Sequence, residues 1–136
     1  MNKQDIISYI KEVHFGYLAT VDEKYQPRVR PIAIHNVYND HLYFFTFGHT
    51  RKVQELKNNP YVEIVWSNLS ELSQVRIGGT VTLETSKKIK NQFKEDNPMV
   101  TQMLTPEIKH LFQLYKFQPE KVEVAVGLVP YEETDW

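Results

Sequence analysis

The sequence predicts a mainly β (α+β) fold in which an antiparallel barrel is surrounded by peripheral helices. Six segments have the composition and alternation of β-strands, and most of them follow one another across short polar turns. Helical periodicity occurs at the start, in the middle and before the last strand. Because barrel closure removes unpaired sheet edges and 136 residues suit one hydrophobic core, we expect residues 1–136 to form a single barrel domain.

The chain begins with a predicted helix that leads into the first strand. Ile6, Ile10 and Val13 recur at helical spacing and Asn2 can cap the first turn, which predicts a helix from Asn2 to Val13. Aromatic and β-branched residues then predict a strand over 15–21, and the polar DEKYQP after it is typical of a turn.

Two further strands and a second helix follow. The strands are predicted over 27–38 and 41–47, with a tight turn at Asn39 and Asp40 between them. The pattern then changes to a helical period over 51–59, where Thr50 can cap the helix and Pro60 ends it.

The second half of the chain returns to strand composition. Strands are predicted over 61–66 and 74–84, and the pair Gly78 and Gly79 indicates a bulge or sharp bend in the second of them. Ser86 can cap a helix that continues to Glu95. A start signal at 105–107 predicts a further helix to about residue 114. The closing segment, 121–132, predicts a final strand with its alternating valines inward: Val122, Val124 and Val126.

Composition limits the classes of function. Sixteen basic and seventeen acidic residues give a formal net charge of -1, so we expect no general attraction for nucleic acid or anionic membranes. The absence of cysteine excludes disulfides, thiolate catalysis and cysteine-ligated metals, and redox chemistry would therefore need a cofactor. Five histidines lie in different elements without metal-ligand spacing, so no metal site is expected. No signal peptide or membrane-spanning segment is recognisable, and we expect a cytoplasmic protein.

The strand-to-helix corner, residues 45–52, has the features of an anion site. A strand ends at Gly48 and a helix begins at Thr50, Arg51 and Lys52. Helix-start amides carry partial positive charge, and the hydroxyl and two cations next to them match a phosphate monoester. On this segment alone, the simpler interpretation is a capped helix whose basic side chains are solvated.

A second pair of cations changes that balance. Arg28 and Arg30 alternate along one strand face, and we expect this strand to pair with the one that leads into the corner. An exposed strand arginine is the simpler interpretation of Arg28. For Arg30, a role as ligand to the same anion is equally well supported by the sequence.

The order of these motifs resembles the pyridoxamine 5′-phosphate oxidase-like superfamily of flavin-binding split barrels. The likeness runs from GYLATVDEKYQPRVRPI through LYFFTFGHTRKVQELKNNPYVEIVW to QVRIGGTVTLE, nearly the whole chain. It implies a six-stranded antiparallel split β-barrel that binds FMN, and a homodimer with two equivalent flavin sites at the subunit interface.

The resemblance also assigns residues to the flavin. It implies that one set lies along the ring and ribityl chain, a second set at the phosphate, and a third set approaches from the second subunit. These are, in turn, Arg30, Pro31, Ile32, Phe45 and Thr46; Thr50, Arg51 and Lys52; and Gln74 and Val75.

Two departures separate the chain from the vitamin B6 oxidases proper. His35 stands where they tend to carry a lysine, which gives a weaker and pH-dependent cation. The terminal VPYEETDW lacks the arginine-bearing tail expected to hold pyridoxal phosphate. Oxidation of vitamin B6 is therefore not the activity we expect.

Several functions remain open at this level. The first is an oxidoreductase in which the flavin takes up hydride and reduces a small organic acceptor or dioxygen. The second is a non-catalytic flavin-binding or flavin-sensing protein, in which NADH or NADPH would leave the flavin oxidised under anaerobic conditions. Relatives that use haem or a deazaflavin give a further alternative. In the haem case His35 or another histidine would be the axial ligand, and a Soret band would reveal the haem. A nucleic-acid contact at the basic corner is disfavoured by the balanced charge.

Overall fold

A curled antiparallel sheet forms the centre of the structure, a computed structural model that describes residues 1–33, 35–127 and 129–136. The strands run in the spatial order β2-β1-β5-β6-β7-β4-β3, and β8 pairs with β7. Their bounds are β1 Gly16–Val21, β2 Pro27–Ile32, β3 His35–Tyr38, β4 His41–Phe47, β5 Tyr61–Asn68, β6 Ser73–Leu83, β7 Phe112–Val126 and β8 Glu132–Thr134. The predicted split barrel is confirmed, although the described residues form eight strands and not six.

Helices pack against the sheet. They are α1 Lys3–Val13, α2 Arg51–Asn58, α3 Lys87–Asp96 and α4 Pro98–Met103, and a 3-10 turn covers Lys109–Leu111. Ile6 and Ile10 of α1 are fully buried in the main core, which also contains Trp66. None of the helices in the described ranges is both long and apolar enough to cross a lipid bilayer.

The signals at the helix starts are confirmed for two of the helices. Asn2 accepts a hydrogen bond from the amide of Asp5 while the Asp5 carboxylate accepts one from the amide of Asn2, which is a capping box. Ser86 accepts a hydrogen bond from the amide of Ile89 at the start of α3. Both helices therefore begin where local sequence places them.

The strand predicted over 27–38 is wrong because it consists of two separate strands. β2 pairs with β1 at one end of the sheet, whereas β3 pairs with β4 at the other end. The sequence analysis expected the strand that carries Arg28 and Arg30 to pair with the strand that leads into the corner. This is wrong, because β2 pairs with β1 and not with β4. Pro27 and Pro31 are tolerated because β2 is an edge strand. The chain crosses between the two ends of the sheet after Ile32, which places β2 and β4 on either side of the split.

The helix predicted from 105 to about 114 is also wrong. Only a 3-10 turn forms there, and β7 already begins at Phe112. Leu114 is fully buried and the Phe112 ring stacks on Phe45 at 5.8 Å between centroids. Pairing with β4 and β6 therefore overrides the local helix signal. Along the same strand Val122 is buried as predicted, whereas Val126 is exposed.

The predicted bulge lies between Gly78 and Gly79, where the register with β7 shifts. A Cβ atom at Gly79 would lie 2.1 Å from the Gln118 carbonyl oxygen and 2.9 Å from the Phe117 ring. At Gly78 the nearest atoms are 4.0 Å away. The close approach of β6 and β7 therefore requires glycine at position 79 only.

We predict that Gly79→Ala lowers the free energy of unfolding by about 1–3 kcal/mol, because an added methyl group must push β7 away. Gly78→Ala is the matched control and is expected to change it by less than about 0.5 kcal/mol. Urea denaturation of the two variants checks this. Equal destabilisation by both would show that lost glycine flexibility, and not the contact with Gln118, is responsible.

Candidate functional site

The strand-to-helix corner leaves the start of α2 uncapped. Thr50 occupies the cap position, but its hydroxyl donates to the carbonyl of Phe47 at 3.0 Å and makes no side-chain bond to the helix. The prediction that Thr50 caps the helix through its side chain is therefore wrong. The same hydroxyl lies 3.4 Å from the hydroxyl of Thr46, which is buried. The positive end of the helix dipole is consequently open to a ligand.

A groove of about 230 Å³ lies between the two ends of the sheet, and we call it the β2–β4 groove. Most of its lining is apolar, and Lys52 contributes the cationic group. It is lined by Pro31, Ile32, Ala33, Phe45, Thr46, Phe47, Lys52 and Met103. Five of the residues expected at a flavin are thus brought together: Pro31, Ile32, Phe45, Thr46 and Lys52.

Lys52 has an unusual electrostatic environment. Burial lowers the pKa of Lys52 to about 8, and the nearby positive charge of Arg30 contributes to the same effect. An anion in the groove would stabilise the ammonium group and raise its pKa again. Lys52 is therefore mostly protonated at neutral pH but is poorly solvated.

Arg51 points away from this groove, although it is adjacent to Lys52 in sequence. It is largely exposed and lines a separate polar groove of about 250 Å³ together with Asp22, Arg28 and Gln54. Successive helical residues project about 100° apart, which accounts for the divergence. The two cations that sequence analysis placed at one phosphate therefore lie on different sides of the helix start.

Arg30 lies behind the helix start and is held by two buried groups. Its Nη1 donates to the Thr20 hydroxyl at 2.6 Å and its Nη2 donates to Glu55 Oε1 at 2.7 Å. Thr20 in turn donates to Glu55 Oε1 at 2.9 Å. The guanidinium is thus fixed within this network, and only its remaining N–H groups are available to a ligand.

His35 is directed into the protein and not toward the groove. Its Nε2 lies 2.8 Å from the carbonyl oxygen of His14 and 3.3 Å from Trp66 Nε1. Burial lowers the pKa of His35, so the ring is neutral at physiological pH. It therefore does not replace the lysine of the vitamin B6 oxidases as a cation.

Gln74 and Val75, expected to approach the flavin of a second subunit, face opposite sides of β6. Val75 is fully buried in the core of its own chain, backbone included, between β5 and β7. Gln74 lies on the outer face, where its Oε1 accepts a hydrogen bond from the hydroxyl of Tyr131. Arg76 also donates to that hydroxyl, at 2.9 Å.

Sequence analysis missed three residues that line the groove and two that hold Arg30: Ala33, Phe47 and Met103, and Thr20 and Glu55. A signal for Glu55 was present, because it falls between Lys52 and Leu56 on the inward side of α2 and places a charge on a buried face. Met103 reaches the groove only through the packing of α4, and no sequence pattern indicates this contact.

Fold and groove together define a small split barrel with a cationic and partly apolar groove at the split. A family model described as Pyridoxamine 5′-phosphate oxidase matches residues 3–125, and the chain belongs to this family. A pyridoxine/pyridoxamine 5′-phosphate oxidase from Paraburkholderia phymatum is 33% identical over 97 residues, which cover 71% of this chain and 45% of the relative. The chain thus spans about half the length of the curated relatives it matches.

Solved structures share the fold. A NimC/NimA family protein from Clostridium acetobutylicum is 25% identical with a TM-score of 0.82, and the match covers 96% of this chain and 89% of that one. An FMN-binding protein from Nostoc punctiforme is 19% identical with a TM-score of 0.65 over 90% and 82% of the two chains. The haem storage protein HutZ from Vibrio cholerae is 19% identical with a TM-score of 0.68 over 93% and 95%. The last two likenesses concern the fold alone.

We predict that Lys52→Met stabilises the ligand-free protein at pH 7, because it removes a poorly solvated charge. The pKa of folded Lys52 lies below the ordinary value of 10.5. Between the folded-state pKa of about 8 and the ordinary pKa of 10.5, the unfolded chain binds more protons than the folded protein. The free energy of unfolding of the wild type therefore increases as pH rises through this range. The advantage of Lys52→Met should therefore shrink between pH 8 and about 10.5.

Urea denaturation at pH 7 and pH 9.5 measures this difference. Lys57→Met is the matched control, since Lys57 is an exposed lysine of the same helix. A pH-independent effect of Lys52→Met, equal to that of the control, would contradict the perturbed environment of Lys52.

Proposed function

We propose that the protein binds FMN in the β2–β4 groove as a homodimer and acts as a flavin-dependent oxidoreductase on a small molecule. The observation that carries the proposal is the combination of an open helix start and Lys52 with apolar groove walls. A flavin mononucleotide has the complementary combination of a phosphate at one end and a planar apolar ring at the other.

The start of α2 fits the phosphate. The Thr50 side chain makes no cap bond to the amides of Arg51 and Lys52, while the amide of Val53 donates to the Thr50 carbonyl at 3.2 Å. The first two amides together with the helix dipole favour a dianion. Lys52 supplies a full charge from the groove side, and Arg30 adds charge from behind. We therefore propose Thr50 and Lys52 as direct ligands, Arg30 as a supporting cation, and Arg51 as a weaker contact from the other side.

The apolar part of the groove fits the ring and ribityl chain. Pro31, Ile32 and Phe45 provide flat or branched apolar surface, and the backbone of these strands lines the split. When bound, FMN supplies the hydride-accepting centre. The residues around it orient the ring and exclude water. In the described part of the chain, Lys52 is the one ionisable residue lining the groove, which is consistent with chemistry carried by the cofactor.

The groove also supports the proposal of a homodimer. Its volume of about 230 Å³ is smaller than most ligand pockets, which measure roughly 300–1,000 Å³. An exposed apolar surface adjoins it: Tyr17 pairs in register with Pro31, and Val29 on the same face is 66% exposed. Gln74 lies on this outer face as well. A second subunit packed here would complete the groove and bring Gln74 to the partner's flavin.

Two other family functions are less well supported. The reported activity of the curated relatives belongs to chains about twice as long, so vitamin B6 oxidation is not part of the proposal. A haem role has support in the fold shared with HutZ. Of the candidate axial ligands, however, His35 already has its Nε2 against His14 and Trp66.

We predict that the purified protein carries a flavin spectrum that is lost on denaturation and filtration. Lys52→Ala should lower the affinity for FMN by roughly 10- to 100-fold, since a charge-assisted contact to phosphate contributes about 1.5–3 kcal/mol. Arg51→Ala should have a smaller effect, because Arg51 lines the other groove, and the double variant should weaken FMN the most. Riboflavin, which has no phosphate, should be affected by less than about twofold.

Flavin fluorescence titrations with FMN and riboflavin provide these affinities, with Lys57→Ala as the control for loss of a lysine from α2. Equal losses for the two ligands would refute the phosphate assignment. Anaerobic addition of NADH or NADPH then tests catalysis, and the proposed oxidoreductase should show bleaching of the flavin absorbance.

We further predict that Val29→Asp dissociates the homodimer and lowers the affinity for FMN in parallel, because it places a charge on the proposed apolar interface. Analytical ultracentrifugation with and without FMN measures both effects. Leu83→Asp is the control, since Leu83 is a half-exposed strand residue at the far end of β6. An unchanged dimer with unchanged FMN affinity in Val29→Asp would exclude this face as the interface.

A further inference from the structure

Glu55 is a carboxylate in a position where α2 otherwise packs against the sheet. Its side chain is 4% exposed, and the next residue, Leu56, belongs to the main core. Oε1 accepts hydrogen bonds from Arg30 at 2.7 Å and from Thr20 at 2.9 Å. Burial of an ionised group is unfavourable unless it is paired, so these two contacts must offset a large desolvation penalty.

The pairing of Glu55 is incomplete. Oε2 is buried and has no hydrogen-bond partner among the described residues. The Nε of Arg51 lies 3.8 Å from Oε2, beyond hydrogen-bonding distance. Replacing a buried ion pair by apolar residues is often neutral or stabilising, so stability alone does not account for a charged residue at this position.

We propose that Glu55 is the positioning residue of the anion site: it holds the Arg30 guanidinium behind the first turn of α2, next to Lys52. This inference rests on the proposed function. Thr20 bridges the two partners by accepting from Arg30 and donating to Glu55, which fixes the plane of the guanidinium. The network links β2, which carries Arg30, directly to α2, which carries Glu55.

Charge also supports the assignment. Arg30, Arg51 and Lys52 with Glu55 leave two net positive charges around the helix start. A phosphate monoester carries about -1.5 to -2 at pH 7, so the cluster is close to neutral once such a group is bound. Glu55 thus allows a third cation to be brought near the site while the net charge of the ligand-free cluster stays at two and does not rise to three.

The sign of one substitution separates positioning from simpler roles. Glu55→Gln keeps the shape and an acceptor oxygen but removes the charge that binds Arg30. If Glu55 acted only as a nearby negative charge, its removal would increase the affinity for FMN. If Glu55 acted only in folding, the affinities for FMN and for riboflavin would fall equally. A positioning role predicts that Glu55→Gln lowers the affinity for FMN by roughly tenfold and leaves the affinity for riboflavin nearly unchanged. It also predicts that Glu55→Gln has no such effect when Arg30 is already replaced by Gln. Glu12→Gln, an exposed helical glutamate, is the matched control.

A second measurement does not require the flavin. NMR titration of Lys52 in the ligand-free protein should show its pKa, about 8 in the wild type, rising in Glu55→Gln as Arg30 is released, while burial, the larger cause, still holds it below the ordinary value of 10.5. A wild type that binds neither FMN nor inorganic phosphate, with this shift present, would contradict the proposed function and leave the positioning role intact. A wild type that binds FMN, with unchanged ligand discrimination and unchanged Lys52 titration in Glu55→Gln, would overturn the positioning role alone.

Discussion

The contact between helix α2 and the β1–β2 hairpin is the interaction on which the candidate site depends. Glu55 bonds to Thr20 on β1 and to Arg30 on β2, and Leu56 is buried beside it. An isolated helix of eight residues would not be stable in water, so this docking decides whether the helix exists at all. Since α2 starts where β4 ends, the same contact places the open helix start beside β2 and forms the groove at the split.

Features of the fold that depend on neighbouring residues could be predicted from the sequence. The caps at Asn2 and Ser86 and the bulge at Gly78 and Gly79 are of this kind. The division of 27–38 into β2 and β3 could not be predicted, because each half is stabilised by a different strand far away in sequence. The start of β7 at residue 112 likewise depends on pairing with β4 and β6, which no local pattern records.

The candidate site was predictable to a similar degree. The order of motifs identified five of the eight residues that line the β2–β4 groove: Pro31, Ile32, Phe45, Thr46 and Lys52. It did not separate residues that are adjacent in sequence but diverge in space: Arg51 from Lys52 on the helix, and Val75 from Gln74 on the strand. Periodicity contains that information, but it becomes decisive only when the packed face of each element is known. Glu55 was visible as a charge on an apolar helix face, a conflict with the pattern that indicates a specific partner.

The strongest argument for a functional site is the concentration of unfavourable features at this one place. The helices α1 and α3 are capped by side chains, whereas α2 and the short α4 are not. Lys52 is poorly solvated next to Arg30, and Glu55 has a buried oxygen without a partner. Each feature destabilises the ligand-free fold, and proteins retain such conflicts mainly where binding or catalysis requires them. A dianion at the helix start would relieve the first two, because it pairs with the free amides and stabilises the ammonium of Lys52. The unpartnered oxygen of Glu55 is a consequence of holding Arg30 in place for that anion. A single ligand therefore accounts for the uncapped helix, the poorly solvated Lys52 and the buried Glu55.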